Sequence, residues 1–267
     1  MTRTLFDWTL KEKWLAEIDI YAANLLTSNV KSRLRRRRPK CWSDDFEWLS
    51  IPDGAEEFAQ CFEEHYSHIR VFHACRPADI ESYVRNGLQG QEAGLLEEYF
   101  KRIFSDVPEP HLKDAFAEFS ERKKSEAGRL WVVLTQAELI QDCGHYLIQG
   151  SEFMMALAAT LSRIHPKEDY RLRLRSIGIP TIFEAHVPTT SIPETQIEGL
   201  SRLVLSAWGE KATRRSLGTD HHPCLTLRRT IEPACIVNHS HPKAIRDPHF
   251  GRTTYINPFT TCPACAN

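Results

Sequence analysis

No apolar run in the chain approaches the roughly 20 residues that a membrane-spanning helix needs, so no bilayer span is predicted. The first residues, Met-Thr-Arg-Thr-Leu-Phe-Asp-Trp, lack the uninterrupted apolar stretch of a secretion signal. No self-similar period of roughly 20 to 50 residues and no low-complexity block appears, which argues against solenoids and disordered tracts. Net charge is equally scarce: 34 Lys and Arg against 35 Asp and Glu leave the chain at −1, so any electrostatic partner site must be local. These absences predict a cytoplasmic, globular protein that does not associate with membranes. The 267 residues, 42% hydrophobic and 26% charged, suffice for one large domain with an appendage or two small ones, with a substantial buried core.

Cysteine is present but unorganised. Cys41, Cys61, Cys75, Cys143, Cys224 and Cys235 are scattered, several within apolar patterns such as Ala59-Gln-Cys-Phe62 and Ala234-Cys-Ile-Val237, and read as reduced, small hydrophobes. The one metal-like spacing is Cys262-Pro-Ala-Cys265, with His239, His241 and His249 upstream. Zinc usually takes four ligands and a lone C-x-x-C supplies two, so no metal is assigned and residues 251–267 are read as a C-terminal tail.

Apolar periodicity predicts an amphipathic helix over 7–26, capped by Asp7, that runs into the basic cluster Arg33-Leu-Arg-Arg-Arg-Arg38. That cluster reads either as a solvated helix end or as a contact to nucleic acid or an acidic partner. Phe58, Cys61, Phe62 and His65 mark a further helix, and 1–66 is taken as an N-terminal helical extension. A strand over 69–75 then leads through Pro77 to a helix closed by Gly87, and amphipathic helices follow over 91–104 and 110–124. Leu130-Trp-Val-Val-Leu134 is a strand, Thr135-Gln-Ala-Glu138 a capping box, and Pro180 to Val187 a half-buried strand. A helix over 194–210 and strands over 225–230 and 234–239 complete an intermixed α+β order.

Two segments carry the candidate chemistry. His145-Tyr-Leu-Ile-Gln-Gly-Ser-Glu152 is expected as a strand delivering an aromatic, a Gly-Ser turn and a carboxylate at a helix start, which places Tyr146, Ser151 and Glu152 at one sheet edge. Arg70-Val-Phe-His-Ala-Cys-Arg-Pro77 presents His73 and Arg76 beside another helix start. Structural roles compete at each position, since Ser151 is a common N-cap and acidic residues favour a helix's first turn.

In this order, the segments resemble the ADP-ribosyltransferase superfamily, the fold shared by diphtheria-type toxins, poly(ADP-ribose) polymerases and related phage-defence and toxin–antitoxin enzymes. His73 within Val71-Phe-His-Ala-Cys75, Gly87-Leu88, Tyr146, and Glu152 within Gln149-Gly-Ser-Glu152 carry the resemblance, over 67–250. It implies a split antiparallel β-sheet core with inserted helices, NAD as substrate, and transfer of ADP-ribose to RNA, DNA or protein by a toxin or antiphage effector. An antitoxin partner belongs to the same expectation. Tyr146 would flank the nicotinamide and Glu152 hold its ribose, with Glu184 and Glu232 as alternative carboxylates. His73 and Ser151 would bind the cofactor, and Arg76, an always-charged donor, would meet the pyrophosphate. Breaking the nicotinamide–ribose bond develops oxocarbenium character, which calls for a negative group by the sugar, an aromatic face and a polar anchor. An NAD glycohydrolase and a non-catalytic binding module of the same fold are the alternatives.

Overall fold

The computed structural model describes residues 4–36, 53–120, 127–214 and 223–265. In chain order the elements are β1 (Leu5–Phe6), α1 (Lys11–Tyr21), α2 (Ser28–Arg36), α3 (Gly54–His65), β2 (His68–Cys75), α4 (Ile80–Asn86), α5 (Ala93–Ile103) and α6 (Glu109–Glu118). They continue with β3 (Leu130–Val133), α7 (Gln136–Gln141), α8 (His145–Ile148), α9 (Glu152–Ile164), α10 (Tyr170–Leu174), β4 (Thr181–Pro188), α11 (Glu194–Thr213), β5 (Cys224–Leu227), β6 (Ile236–Ser240), β7 (Ala244–Arg246) and β8 (Thr254–Ile256). The chain divides into two compact units, Met1–Arg70 with His186–Leu225, and Val71–Ala185 with Thr226–Asn267. Residues 1–66 are thus joined by a later segment that contains α11.

In the first unit, the long helix α11 turns Ile197, Leu200, Val204 and Trp208 inward and packs on α3 and α2. Phe6 of β1 meets Phe62 and Tyr66 with ring centroids 5.0 and 5.1 Å apart, both edge-on, the geometry aromatic quadrupoles prefer. Helix α1 begins at Lys11 and not at Asp7, because the Asp7 carboxylate accepts from the Thr9 amide at 2.9 Å and pairs with Arg70 at 2.9 Å. The basic cluster begins on α2, where Arg35 donates to the Ala212 carbonyl at 3.1 Å. Arg37, Arg38 and Cys41 lie outside the described residues.

The strands, most of whose residues belong to the second unit, lie in the order β5-β3-β2-β4-β6, with β2 antiparallel to β3 and β4 antiparallel to β6, while β7 and β8 form a separate antiparallel pair. The architecture is mixed helix and strand with an antiparallel sheet. Phe72 faces Val133 across the β2–β3 ladder, and side chains alternate along a strand. Phe72, Ala74, Val133 and Ile182 consequently share a face, which Leu139, Leu147, Ile148 and Ile245 cover. A second core joins α5, α6 and α9 through Phe100, Phe104, Leu112, Phe153, Leu157 and Leu161. Each such side chain, fully buried, contributes about 1.5–3 kcal/mol.

Two expectations are corrected. His145–Ile148 is one helical turn and not a strand, because the short apolar run Tyr-Leu-Ile fits either period and burial of Leu147 and Ile148 against the sheet decides it. The tail is also ordered in part: Thr254–Ile256 pairs with β7, and Asn257 Nδ2 donates to the Pro242 and Phe259 carbonyls at 3.0 and 2.7 Å. Gly87 closes α4 at φ +76°, and a Cβ there would stand 2.1 Å from the Ile231 carbonyl oxygen, so only glycine fits the Leu88–Ile231 bridge.

Candidate active site

Polar side chains gather around α8. Gly144 begins that turn, and a Cβ on it would lie 2.0 Å from the Arg246 carbonyl oxygen, so the missing side chain lets the end of β7 approach the helix. The turn after β7 is built on Asp247, which is 1% exposed. Its Oδ1 accepts from the amides of His249 and Phe250 at 3.1 and 3.2 Å, and its Oδ2 accepts from Arg175 Nη2 at 2.7 Å. The Arg175 guanidinium lies over the Phe250 ring, 4.4 Å from its centroid, a cation–π contact that fixes its plane. The His145 ring sits 4.1 Å from that of Tyr146 and 5.0 Å from that of His249.

Glu152, exposed at the first residue of α9, is near enough for its charge to act on His145. Burial and then His249 lower the His145 pKa to about 4, against Glu152 and Asp247, which raise it. His145 is therefore neutral at pH 7. Its Nδ1 is buried and has no hydrogen-bond partner among the described residues. An unfolded imidazole takes its proton near 6.5 and the folded one only near 4, so this contribution to stability is complete above pH 6.5 and is lost as pH falls toward 4. Urea midpoints should accordingly drop from pH 7 to pH 5, and His145→Gln should reduce that drop. An equal drop in the variant would assign the pH dependence elsewhere.

The five residues singled out by sequence divide. Tyr146 lies on α8 and packs against the Phe72 face, Ser151 caps α9 by accepting from the Met154 amide at 3.3 Å, and Glu152 follows it. Ser151's oxygen thus holds the helix that presents Glu152, a contact that stabilises by about 1 kcal/mol. Arg76 is buried beneath them and does not point a donor outward to a pyrophosphate. Its Nε donates to the Ile177 carbonyl at 2.8 Å, Nη1 to Leu147 at 3.0 Å, and Nη2 to Arg175 at 2.6 Å and Gly178 at 3.0 Å. Burial lowers its pKa and the Tyr255 hydroxyl, hydrogen-bonded to it, raises it.

His73 is not brought to Tyr146. Strand alternation puts it on the sheet face opposite Phe72 and Ala74, where Tyr83 of α4 stacks on Phe183 at 5.3 Å. Its Nδ1 lies 2.8 Å from the Trp131 carbonyl, and burial lowers its pKa. The ring is neutral, with Nδ1–H donating and Nε2 left as an acceptor. Of the alternative carboxylates, Glu184 is half-buried on the Ile182 face and Glu232 is exposed ahead of β6.

Sequence reading did not single out His145, Arg175 or Asp247 and took His249 only as a histidine upstream of the C-x-x-C, and what gathers them is the Gly144 approach. It also assigned no metal to Cys262 and Cys265 with the upstream histidines, two of which the structure gathers with them into a second cluster. His239, His241, Cys262 and Cys265 each bring one ligand atom to within 4.8 Å of the others. The available signal was His239-x-His241, because residues two apart on an extended strand share a face.

Comparisons with family models, curated proteins and solved structures find no match to the chain.

Proposed function

We propose that the protein cleaves the nicotinamide–ribose bond of NAD and transfers ADP-ribose to a macromolecular acceptor, a nucleic acid or a protein. The observation that carries this reading is the grouping of an exposed carboxylate, Glu152, with the aromatic Tyr146 and the neutral imidazole of His145 at one end of α8. A carboxylate at a helix start sits where the helix dipole favours negative charge, and it opposes the positive charge that develops on the ribose. Tyr146 offers an aromatic face to the leaving nicotinamide. His145, whose buried Nδ1 is unpartnered among the described residues, supplies a polar anchor. Arg76 and Ser151 are the scaffold of this site: one ties α8 to the loop before β4, the other caps α9.

The test is release of free nicotinamide when the purified chain is incubated with NAD, followed by the fate of labelled ADP-ribose. Label on RNA, DNA or protein is the expected result, whereas label in water alone identifies a glycohydrolase. No nicotinamide and no NAD binding would overturn the proposal. Among the described residues no helix is long and apolar enough to cross a membrane.

A further inference from the structure

We infer that His239, His241, Cys262 and Cys265 form a closed, structural zinc site that fastens the end of the chain to β6. The ligand atoms already stand near tetrahedral spacing. Cys262 Sγ and Cys265 Sγ are 3.5 Å apart, and His239 Nε2 is 3.3 Å from the first and 3.2 Å from the second. Zinc–sulfur and zinc–nitrogen bonds of about 2.3 and 2.0–2.1 Å, set at tetrahedral angles, require sulfur–sulfur and sulfur–nitrogen edges of about 3.8 and 3.6 Å. The triangle therefore needs to expand only by a few tenths of an ångström. A disulfide, with its sulfurs about 2.0 Å apart, is a different geometry.

The fourth ligand is the decisive one. His241 is buried, and its Nδ1 lies 2.9 Å from the Pro180 carbonyl, which fixes Nδ1–H as the donor and leaves the lone pair on Nε2. That Nε2 is itself buried without a hydrogen-bond partner among the described residues. A buried acceptor left bare is costly, and a metal bond satisfies it. A carbonyl accepting from the far nitrogen of a ligating imidazole is also usual around zinc, where it orients the ring.

Two thiolates and two imidazoles in a tetrahedron suit zinc over magnesium or calcium, which take oxygen ligands. Four protein ligands leave no open position for water or substrate, so the ion holds structure and does no chemistry. What it holds is specific. His239 and His241 lie on and just beyond β6, Pro180 just before β4, and Cys262 and Cys265 beyond β8, so one ion ties the last described segment to the sheet edge. The two-ligand limitation of the C-x-x-C in sequence is thereby removed by a His-x-His some 20 residues earlier in the chain.

The experiment is metal analysis of the full chain purified under reducing conditions, with cobalt(II) substitution as a second readout. About one zinc per chain is expected, and cobalt should give the intense visible bands of a tetrahedral thiolate site. Cys262→Ser and His241→Ala should each lower zinc content at least tenfold, while Cys143→Ser, outside the cluster, should retain it. Should the variants fail to fold, cobalt titration of the metal-stripped wild type still decides the matter. No zinc on isolation together with no tetrahedral cobalt spectrum, or full zinc content in folded Cys262→Ser, would overturn the assignment.

Discussion

Arg76→Ala is expected to be the most destabilising single substitution at the candidate site, lowering unfolding free energy by about 3–5 kcal/mol. The guanidinium bridges the carbonyls of Leu147, Arg175, Ile177 and Gly178, which belong to α8 and to the loop between α10 and β4. Truncation leaves four acceptors facing a void, and each buried, unsatisfied polar group costs about 1–3 kcal/mol before water or relaxation recovers part of it. Against a total stability of about 5–15 kcal/mol for an ordinary domain, that is a large fraction. Arg76→Lys should recover little. An ammonium is a point charge with three donors on a flexible stem, whereas the four carbonyls are arranged around a planar fork. Urea denaturation of both variants checks this, and a loss below about 1 kcal/mol for alanine would show that the carbonyls find other partners.

The same residue shows where sequence reading succeeds and where it stops. Arg76 stood out as an always-charged group at a helix start, but whether its donors face solvent or carbonyls depends on the loop around Gly178. A Cβ on Gly178 would lie 2.5 Å from the Arg76 carbonyl oxygen, so that approach is closed to other residues, yet nothing local to Arg76 announces it. Elements with strong local signals were legible: the β-branched run of β3, the Thr135 cap, which accepts from the Glu138 amide at 3.3 Å, and the apolar stripe of α9. The turn at His145–Ile148 was not, because four residues are too few to distinguish a 3.6 from a 2.0 period. His73 was found as a strand residue, but its sheet face depends on register, and one step along a strand reverses it. The two halves of the His–Cys cluster, His239-x-His241 and Cys262-x-x-Cys265, were visible in the sequence, but joining them depended on the chain returning from β8 to β6, a contact of high sequence separation.

Glu152→Gln should reduce ADP-ribose transfer by about 10²–10³-fold, equivalent to about 3–4 kcal/mol, while leaving NAD affinity within a few-fold. The asymmetry follows from when the charge appears. In ground-state NAD the positive charge is spread over the nicotinamide ring, whereas bond breaking moves it onto the ribose and releases neutral nicotinamide, so an anion placed by the sugar strengthens its interaction chiefly as the bond breaks. Glutamine keeps the size of the side chain and, exposed at the first turn of α9, leaves the Ser151 cap intact, so loss of stability is not expected to confuse the result. His73→Ala is the companion measurement, because His73 lies on the opposite sheet face from Tyr146. With the site at α8, alanine at position 73 should leave both NAD affinity and turnover near wild type. If instead His73→Ala weakens NAD binding tenfold or more and Glu152→Gln transfers at full rate, the bond is broken on the other face of the sheet and Glu152 is only a helix-start carboxylate.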